Sequence, residues 1–208
     1  MRNKLFLSCA LAAATVAAAT PALAQSRGDW TLGVGVHQVN PKSDNGTLVR
    51  GALAVIVGSD VKPTITGEYF VADNLGIEVL AALPFKHDIN IDGLGRVGTT
   101  KHLPPVVSVQ YHFNSKGKVS PFVGAGINYT TFFSEDTTGA LAGSKLKLED
   151  SWGLAAHAGV DCTISKNGAL RVDVRWIDID SRVKLDGEKI GTVNIDPLVY
   201  GVAYVHRF

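Results

Sequence analysis

Six charged residues, Glu68, Glu78, Asp161, Arg171, Asp173 and Arg175, stand where an alternating strand would turn them to one common side. Three histidines, His37, His112 and His157, fall in the same phase of their own segments. The clearest segment is 170–176, where Leu170, Val172, Val174 and Trp176 alternate with Arg171, Asp173 and Arg175. Successive residues of a strand point to opposite faces, so one face here is apolar and the other charged. Carboxylates and guanidinium groups enclosed together must pair or be hydrated, because a lone buried ion costs several kcal/mol. The expected arrangement is an internal network of salt bridges. It would hold its surroundings rigid and block water and ions. A metal centre needs three or four ligands converging at ~2 Å. The spacing of His, Asp and Cys gives no such cluster, so neither a metal nor a cofactor is predicted. Acyl-transfer chemistry needs a serine activated by a base. Ser108 shares a face with His112, but four residues along a strand is about 13 Å, beyond hydrogen-bond reach. No enzyme is predicted.

The elements that would position these residues recur along the chain. Eight segments of period-two alternation cover 30–37, 64–71, 75–83, 107–113, 123–130, 152–161, 170–176 and 198–208. The connections at 72–74, 114–118 and 165–168 are short and rich in Asn, Asp, Gly, Ser and Lys. Those at 40–62, 86–102, 134–150 and 180–194 are long, with a short helical turn expected within 139–148. A soluble sandwich or lipocalin-like barrel also alternates, with its apolar face inward. Here the face opposite the apolar one carries glycine, small polar residues and full charges, which suits a narrow barrel interior. Short turns alternating with long loops are the pattern of transmembrane barrels. Strands of ~10 residues tilted by ~45° span the hydrocarbon layer. Lipid offers no partner to an open edge, so the sheet must close. The expected fold is all-β: an eight-stranded antiparallel transmembrane β-barrel with long extracellular loops and short periplasmic turns.

Both ends of the chain agree with export. Arg2 and Lys4 precede an apolar run from 5 to 19, and Ala22-Leu23-Ala24 is a cleavage signal. Residues 1–24 are therefore expected to be a cleaved signal peptide and 25–208 the barrel, in the outer membrane of a Gram-negative cell. Of 20 Lys+Arg, Arg2 and Lys4 leave with the leader, so 18 stand against 19 Asp+Glu. That balance lacks the basic face a nucleic-acid partner requires. Cys162 is the one cysteine outside the leader, so no internal disulfide forms. At the other end Tyr200, Val202, Tyr204 and Phe208 share a face. Tyr204 and Phe208 resemble the signal by which the outer-membrane assembly machinery recognises a last strand, although His206 departs from the usual aromatic or aliphatic residue.

The chain also resembles a known family. The stretches Asp73-Asn74-Leu75-Gly76-Ile77-Glu78, Pro84-Phe85-Lys86-His87-Asp88, His102-Leu103-Pro104-Pro105 and Gln110-Tyr111-His112-Phe113 carry the likeness in the first half. Pro121-Phe122-Val123-Gly124-Ala125-Gly126-Ile127-Asn128-Tyr129, Asp150-Ser151-Trp152-Gly153-Leu154 and Ile177-Asp178-Ile179-Asp180 carry it in the second. In order and over the whole mature length, they resemble the OmpW family of small outer-membrane barrels. The resemblance implies passage of small hydrophobic molecules through an apolar pocket open to the outside, then sideways into the membrane.

The expected pocket residues are Leu80, Ala82, Leu83, Phe85, Leu103, Val106 and Phe132, above a polar network of Glu68, Glu78, His112, His157, Asp161, Arg171, Asp173 and Arg175. Pro104 and Pro105 donate no ladder hydrogen bond and mark the expected lateral exit. The expected partners are outer-membrane lipid, a small hydrophobic solute and the assembly machinery. The alternative is a structural or surface-receptor barrel with a plugged lumen. Every face assignment depends on register, since a one-residue slip reverses it.

Overall fold

The structure, a computed structural model, describes residues 25–208; the expected signal peptide lies outside the described residues. Alternation becomes strand because a β-branched or aromatic residue at every second position covers one face of the pleat. β1 (Trp30–Asn40) leaves the short-turn end, and the first long connection folds into β2 (Thr47–Leu48) and β3 (Leu53–Val57). β4 (Asp60–Ala72) returns to a turn in which Asn74 takes a left-handed φ of 65°. β5 (Leu75–Ala82) then climbs to the hairpin of β6 (Phe85–Ile91) and β7 (Gly95–Leu103). β8 (Val106–His112) descends, and β9 (Val119–Thr137) climbs through 19 residues. A 3-10 turn (Gly139–Leu141) and β10 (Leu146–Leu148) lead to the pair β11 (Ser151–Thr163) and β12 (Gly168–Ile177). The last hairpin, β13 (Asp180–Leu185) and β14 (Glu188–Asn194), precedes β15 (Leu198–Arg207).

Eight of these strands close a ring in the order β1, β4, β5, β8, β9, β11, β12, β15 and back to β1, every pairing antiparallel. The closing seam runs from Thr31↔Arg207 to Asn40↔Leu198. This is the expected eight-stranded barrel. The long connections, however, are not irregular loops. The outer half of β9 leaves β8 and pairs with β7, and β6, β3, β2, β14, β13 and β10 follow in turn. The wall thus continues past the ring as a second tier. Period-two apolar residues inside the connections, such as Val55 and Val57 or Ile89 and Ile91, give those segments a face to bury.

The ring is turned inside out relative to a soluble barrel. Val34, Ile65, Val79, Val109, Ile127 and Val202 are exposed on the outside, while Glu68, Glu78, Arg171 and Arg175 are buried within. An eight-stranded barrel has an interior only wide enough for side chains, and glycines make the room. A Cβ on Gly201 would stand 2.1 Å from His37 Nε2, one on Gly124 2.2 Å from His157 Nε2, and one on Gly76 2.1 Å from Glu68 Oε1. Gly67 faces open space, with nothing within 4 Å of a Cβ. Gly201→Ala is therefore expected to lower the stability of the refolded barrel by about 1–3 kcal/mol through overpacking. Gly67→Ala should leave it nearly unchanged. Urea unfolding in lipid vesicles compares the two.

Candidate functional site

Four strands of the ring, β4, β5, β11 and β12, supply the carboxylates and guanidinium groups of the lower lumen. Arg171 on β12 grips Asp161 on β11 with two parallel bonds, Nε to Oδ1 at 2.7 Å and Nη2 to Oδ2 at 2.8 Å, and reaches across to Glu78 Oε2 on β5 at 2.7 Å. Arg175 donates from Nε to Asp173 Oδ2 at 2.8 Å. Its Nη1 lies 2.7 Å from Glu78 Oε1, a charge contact off hydrogen-bond alignment. Glu78 therefore bridges both guanidinium groups. Glu68 stands 3.6 Å from Arg171 Nη2. Bidentate guanidinium–carboxylate pairs are among the strongest hydrogen bonds in proteins.

The histidines extend the network. His37 meets Thr64 Oγ1 through Nδ1 at 2.6 Å and Asp173 Oδ1 through Nε2 at 3.3 Å. His112 Nε2 lies 3.0 Å from Glu68 Oε1, and His157 Nε2 donates to Gln110 Oε1 at 2.8 Å. Phe122 packs its ring face against Arg171, the centroid 4.4 Å from the guanidinium carbon, a cation–π contact. The eight residues read from the sequence as a polar network are thus linked to one another through direct contacts and Gln110. Gln110, Thr64 and His37 complete it. Ser108 is buried, and its Oγ has no hydrogen-bond partner among the described residues.

Above this floor the lumen becomes apolar. Leu80, Phe85, Val106 and Phe132 are buried in one cluster, with Ala82 packed against it and Leu103 half-buried. Leu83 is a correction to the expected lining. It lies outward and is 57 % exposed, because it continues the outer face of β5 past its end. Higher still, the second tier encloses an apolar cavity of about 60 Å³ lined by residues such as Leu48, Val55, Ile89, Leu146, Val183 and Val193. None of the seven expected pocket residues lines this cavity. Its walls are the segments first read as loops, and the alternation of Phe85, His87, Ile89 and Ile91 was the signal available for β6.

Pro104 and Pro105 join β7 to β8 where the wall changes partners. On one side the junction holds to β9: Tyr129 N–H and Asn128 Nδ2 both donate to Pro105 O, at 3.2 and 2.9 Å. On the other side the β5–β8 ladder ends at Leu80↔Val106, and pairing resumes only at Phe85↔His102. The ladder is interrupted between those two pairs. Next to it, on the outer face, a depression of about 340 Å³ lies over Pro63, Ile65, Ala81 and Leu83.

Three carboxylates at the loop end, Asp178, Asp180 and Asp196, place oxygens within 4.8 Å of one another. Asp196 already accepts from Lys42 Nζ at 2.8 Å and from Ile179 N–H at 3.1 Å, and Asn194 donates to Asp180. The local acids are thus partly occupied by the chain itself.

Two imidazoles stand in the hairpin above the ring. His87 and His102 are fully buried and stacked, with centroids 4.8 Å apart and planes 9° apart; His102 also stacks on Phe85 and tilts against Phe132. Burial holds both below their ordinary value of 6.5; a second imidazole beside it pushes His102 further down, and the Gly58 carbonyl partly offsets the effect at His87.

Two outcomes follow. Glu78→Ala leaves two buried guanidinium groups short of a partner and is expected to cost about 3–5 kcal/mol, read from urea unfolding. The second concerns pH. The unfolded chain binds more protons at His87 and His102 than the folded one, so their contribution is complete above about pH 6.5 and is lost as pH falls below it. Amides of β6 and β7 are expected to exchange faster, after correction for intrinsic rates, at about pH 5 than at about pH 7.

Comparison with known proteins agrees with this architecture. The sequence profile described as the OmpW family matches residues 26–208. Outer membrane protein W of Vibrio cholerae is 37 % identical, the alignment covering 96 % of this chain and 98 % of that protein. A more distant relative, the dibenzothiophene metabolism operon protein PahQ of Pseudomonas aeruginosa, is 23 % identical over 86 % of this chain and 88 % of its own. Among solved structures, the crystal structure of the outer membrane protein OprG from Pseudomonas aeruginosa superposes with a TM-score of 0.81 at 30 % identity, covering 89 % of this chain and 98 % of that one. With its closed eight-strand ring and a profile match from residue 26 to residue 208, the chain is an outer-membrane barrel and belongs to the OmpW family.

Proposed function

We propose that this barrel gives passive passage to small hydrophobic molecules, which enter the apolar tier from outside and leave sideways into the membrane, with no catalytic step. The observation that carries the reading is the division of the lumen. An apolar cavity lies in the outer tier, separated from a floor of paired charges by the apolar layer of Leu80, Phe85, Val106 and Phe132. An apolar molecule gains by leaving water for the upper tier, at roughly 25 cal/mol per Å² of surface buried. It gains nothing by entering the floor, where it would have to separate ion pairs. The break through which it would leave is the interruption between Leu80↔Val106 and Phe85↔His102, beside Pro104 and Pro105. The relative named for dibenzothiophene metabolism, an apolar aromatic compound, supports the same class of solute.

The cavity is small. About 60 Å³ is far below the 300 Å³ or more of a pocket for a drug-sized ligand, so loading requires the outer hairpins to part or the solute to be slender. That tightness favours a second reading, a barrel plugged for purely structural ends. Replacing Pro104 and Pro105 by Thr and Val restores both backbone donors. If the exit is there, uptake of a hydrophobic probe by cells depleted of the native protein falls several-fold with the barrel still folded. Uptake equal to that of the unmodified barrel sinks the lateral route, and uptake independent of the barrel altogether favours the structural reading.

A further inference from the structure

His87 and His102 are buried polar groups with incomplete bonding. Among the described residues, His87 Nε2 and both ring nitrogens of His102 have no hydrogen-bond partner. Their proton positions are constrained by geometry. His87 Nδ1 lies 2.5 Å from Gly58 O, which can only accept, so the proton sits on Nδ1 and Nε2 is a bare acceptor. A neutral His102 brings one donor and one acceptor. The pair thus presents two acceptors and one donor within a wall made of Phe85, Phe132 and their apolar neighbours. Buried polar groups of this kind are nearly always satisfied. Stacking does not require them, since phenylalanine rings would stack on Phe85 and Phe132 without leaving polar atoms unmet.

The pair adjoins the cavity. His87 faces Thr100 across the β6–β7 ladder, and Thr100 lines the cavity. Ile89, the next buried residue of β6 on the same face, lines it as well. Neither imidazole lines the cavity itself: His87 borders it through Thr100, and His102 belongs to the pair Phe85↔His102 that bounds the interruption, so the two stand between the cavity and the break in the wall.

We propose that His87 and His102 anchor a hydroxyl group, so that the preferred solute is a slender apolar molecule carrying one terminal hydroxyl, an alcohol rather than a pure hydrocarbon. This rests on the uptake reading above and narrows its solute class. A hydroxyl has one donor and two acceptor lone pairs. It donates to a bare imidazole nitrogen and accepts from the His102 N–H. A carboxylate only accepts, would leave both bare nitrogens facing a negative charge, and must shed its water in an apolar tier. An alkane satisfies neither kind of site.

The test uses the full-length barrel in lipid nanodiscs, titrated with 1-octanol and with n-octane, in the unmodified form and as His102→Phe. The readout is the octanol-to-octane affinity ratio, in which partitioning into lipid cancels between the two proteins. The ratio is expected to fall about tenfold in His102→Phe, the worth of one well-made buried hydrogen bond. A ratio unchanged by the substitution overturns the anchor, while octane binding to the unmodified barrel leaves the uptake reading standing. Absence of binding by either probe overturns both. If His102→Phe does not fold, the unmodified barrel decides: imidazole ¹⁵N resonances must shift with octanol and not with octane, and equal responses to both overturn the anchor.

Discussion

A backbone amide facing hydrocarbon has no solvent to bond, and the rest of this structure follows from that constraint. Each strand must find two neighbours, so the sheet has to close on itself. Closure with eight strands fixes a narrow bore. A narrow bore in lipid reverses the usual placement of side chains: Val34 and Val202 face outward, and Arg171 and Glu78 inward. The lumen then has to be filled at protein density by polar groups. It is filled by large side chains set against glycines, as His37 is against Gly201 and Glu68 against Gly76.

Filling a tube with ions is stable only when every charge meets its opposite. The floor meets this by convergence: Glu78 from β5, Asp161 from β11 and both arginines from β12 reach the same point from different parts of the wall. Such cross-bracing ties the ring through its interior as well as around its circumference. Among the described residues the apolar tier above has no ion pair buried on both sides. Its strands pair edge to edge, with register shifts at Ile89/Asn90, Thr99/Lys101 and Val183/Lys184. The base is thus braced across its interior, and the crown along its edges.

The sequence revealed the ring more clearly than the crown, for a physical reason. Ring strands lie between lipid and lumen, so their two faces differ sharply, as in the alternation of Leu170, Val172 and Val174 with Arg171, Asp173 and Arg175. The face that each of these residues takes was legible there, though not the pairing of one strand with the next. Crown strands are shorter, and their outer faces meet water rather than lipid, so Leu53–Val57 and Glu188–Asn194 alternate weakly and read as loop. That is why the expected pocket centred on Leu80 and Val106, just above the floor, while the cavity of Val55, Val183 and Val193 went unseen. Leu83 failed differently: the alternation of β5 runs past its last residue and keeps Leu83 outside, although its place at a loop suggested the lumen. The unpaired nitrogens of His87 and His102 depend on three-dimensional surroundings that no spacing encodes.

The seam between β1 and β15 sets the order in which this molecule can be made. It joins Thr31 to Arg207, and Asp29 beside it holds Arg207 Nη2 at 2.7 Å while Trp30 O accepts from Phe208 N–H at 3.0 Å. The first strand must wait for the last. Until it arrives, both would-be edges carry rows of unmet amides and strongly apolar faces, the conditions under which strands pair with the wrong neighbour. A contact spanning nearly the whole chain is also a slow one to form. The interval between synthesis and closure thus leaves the first and last strands exposed, and it is there that this chain needs shelter.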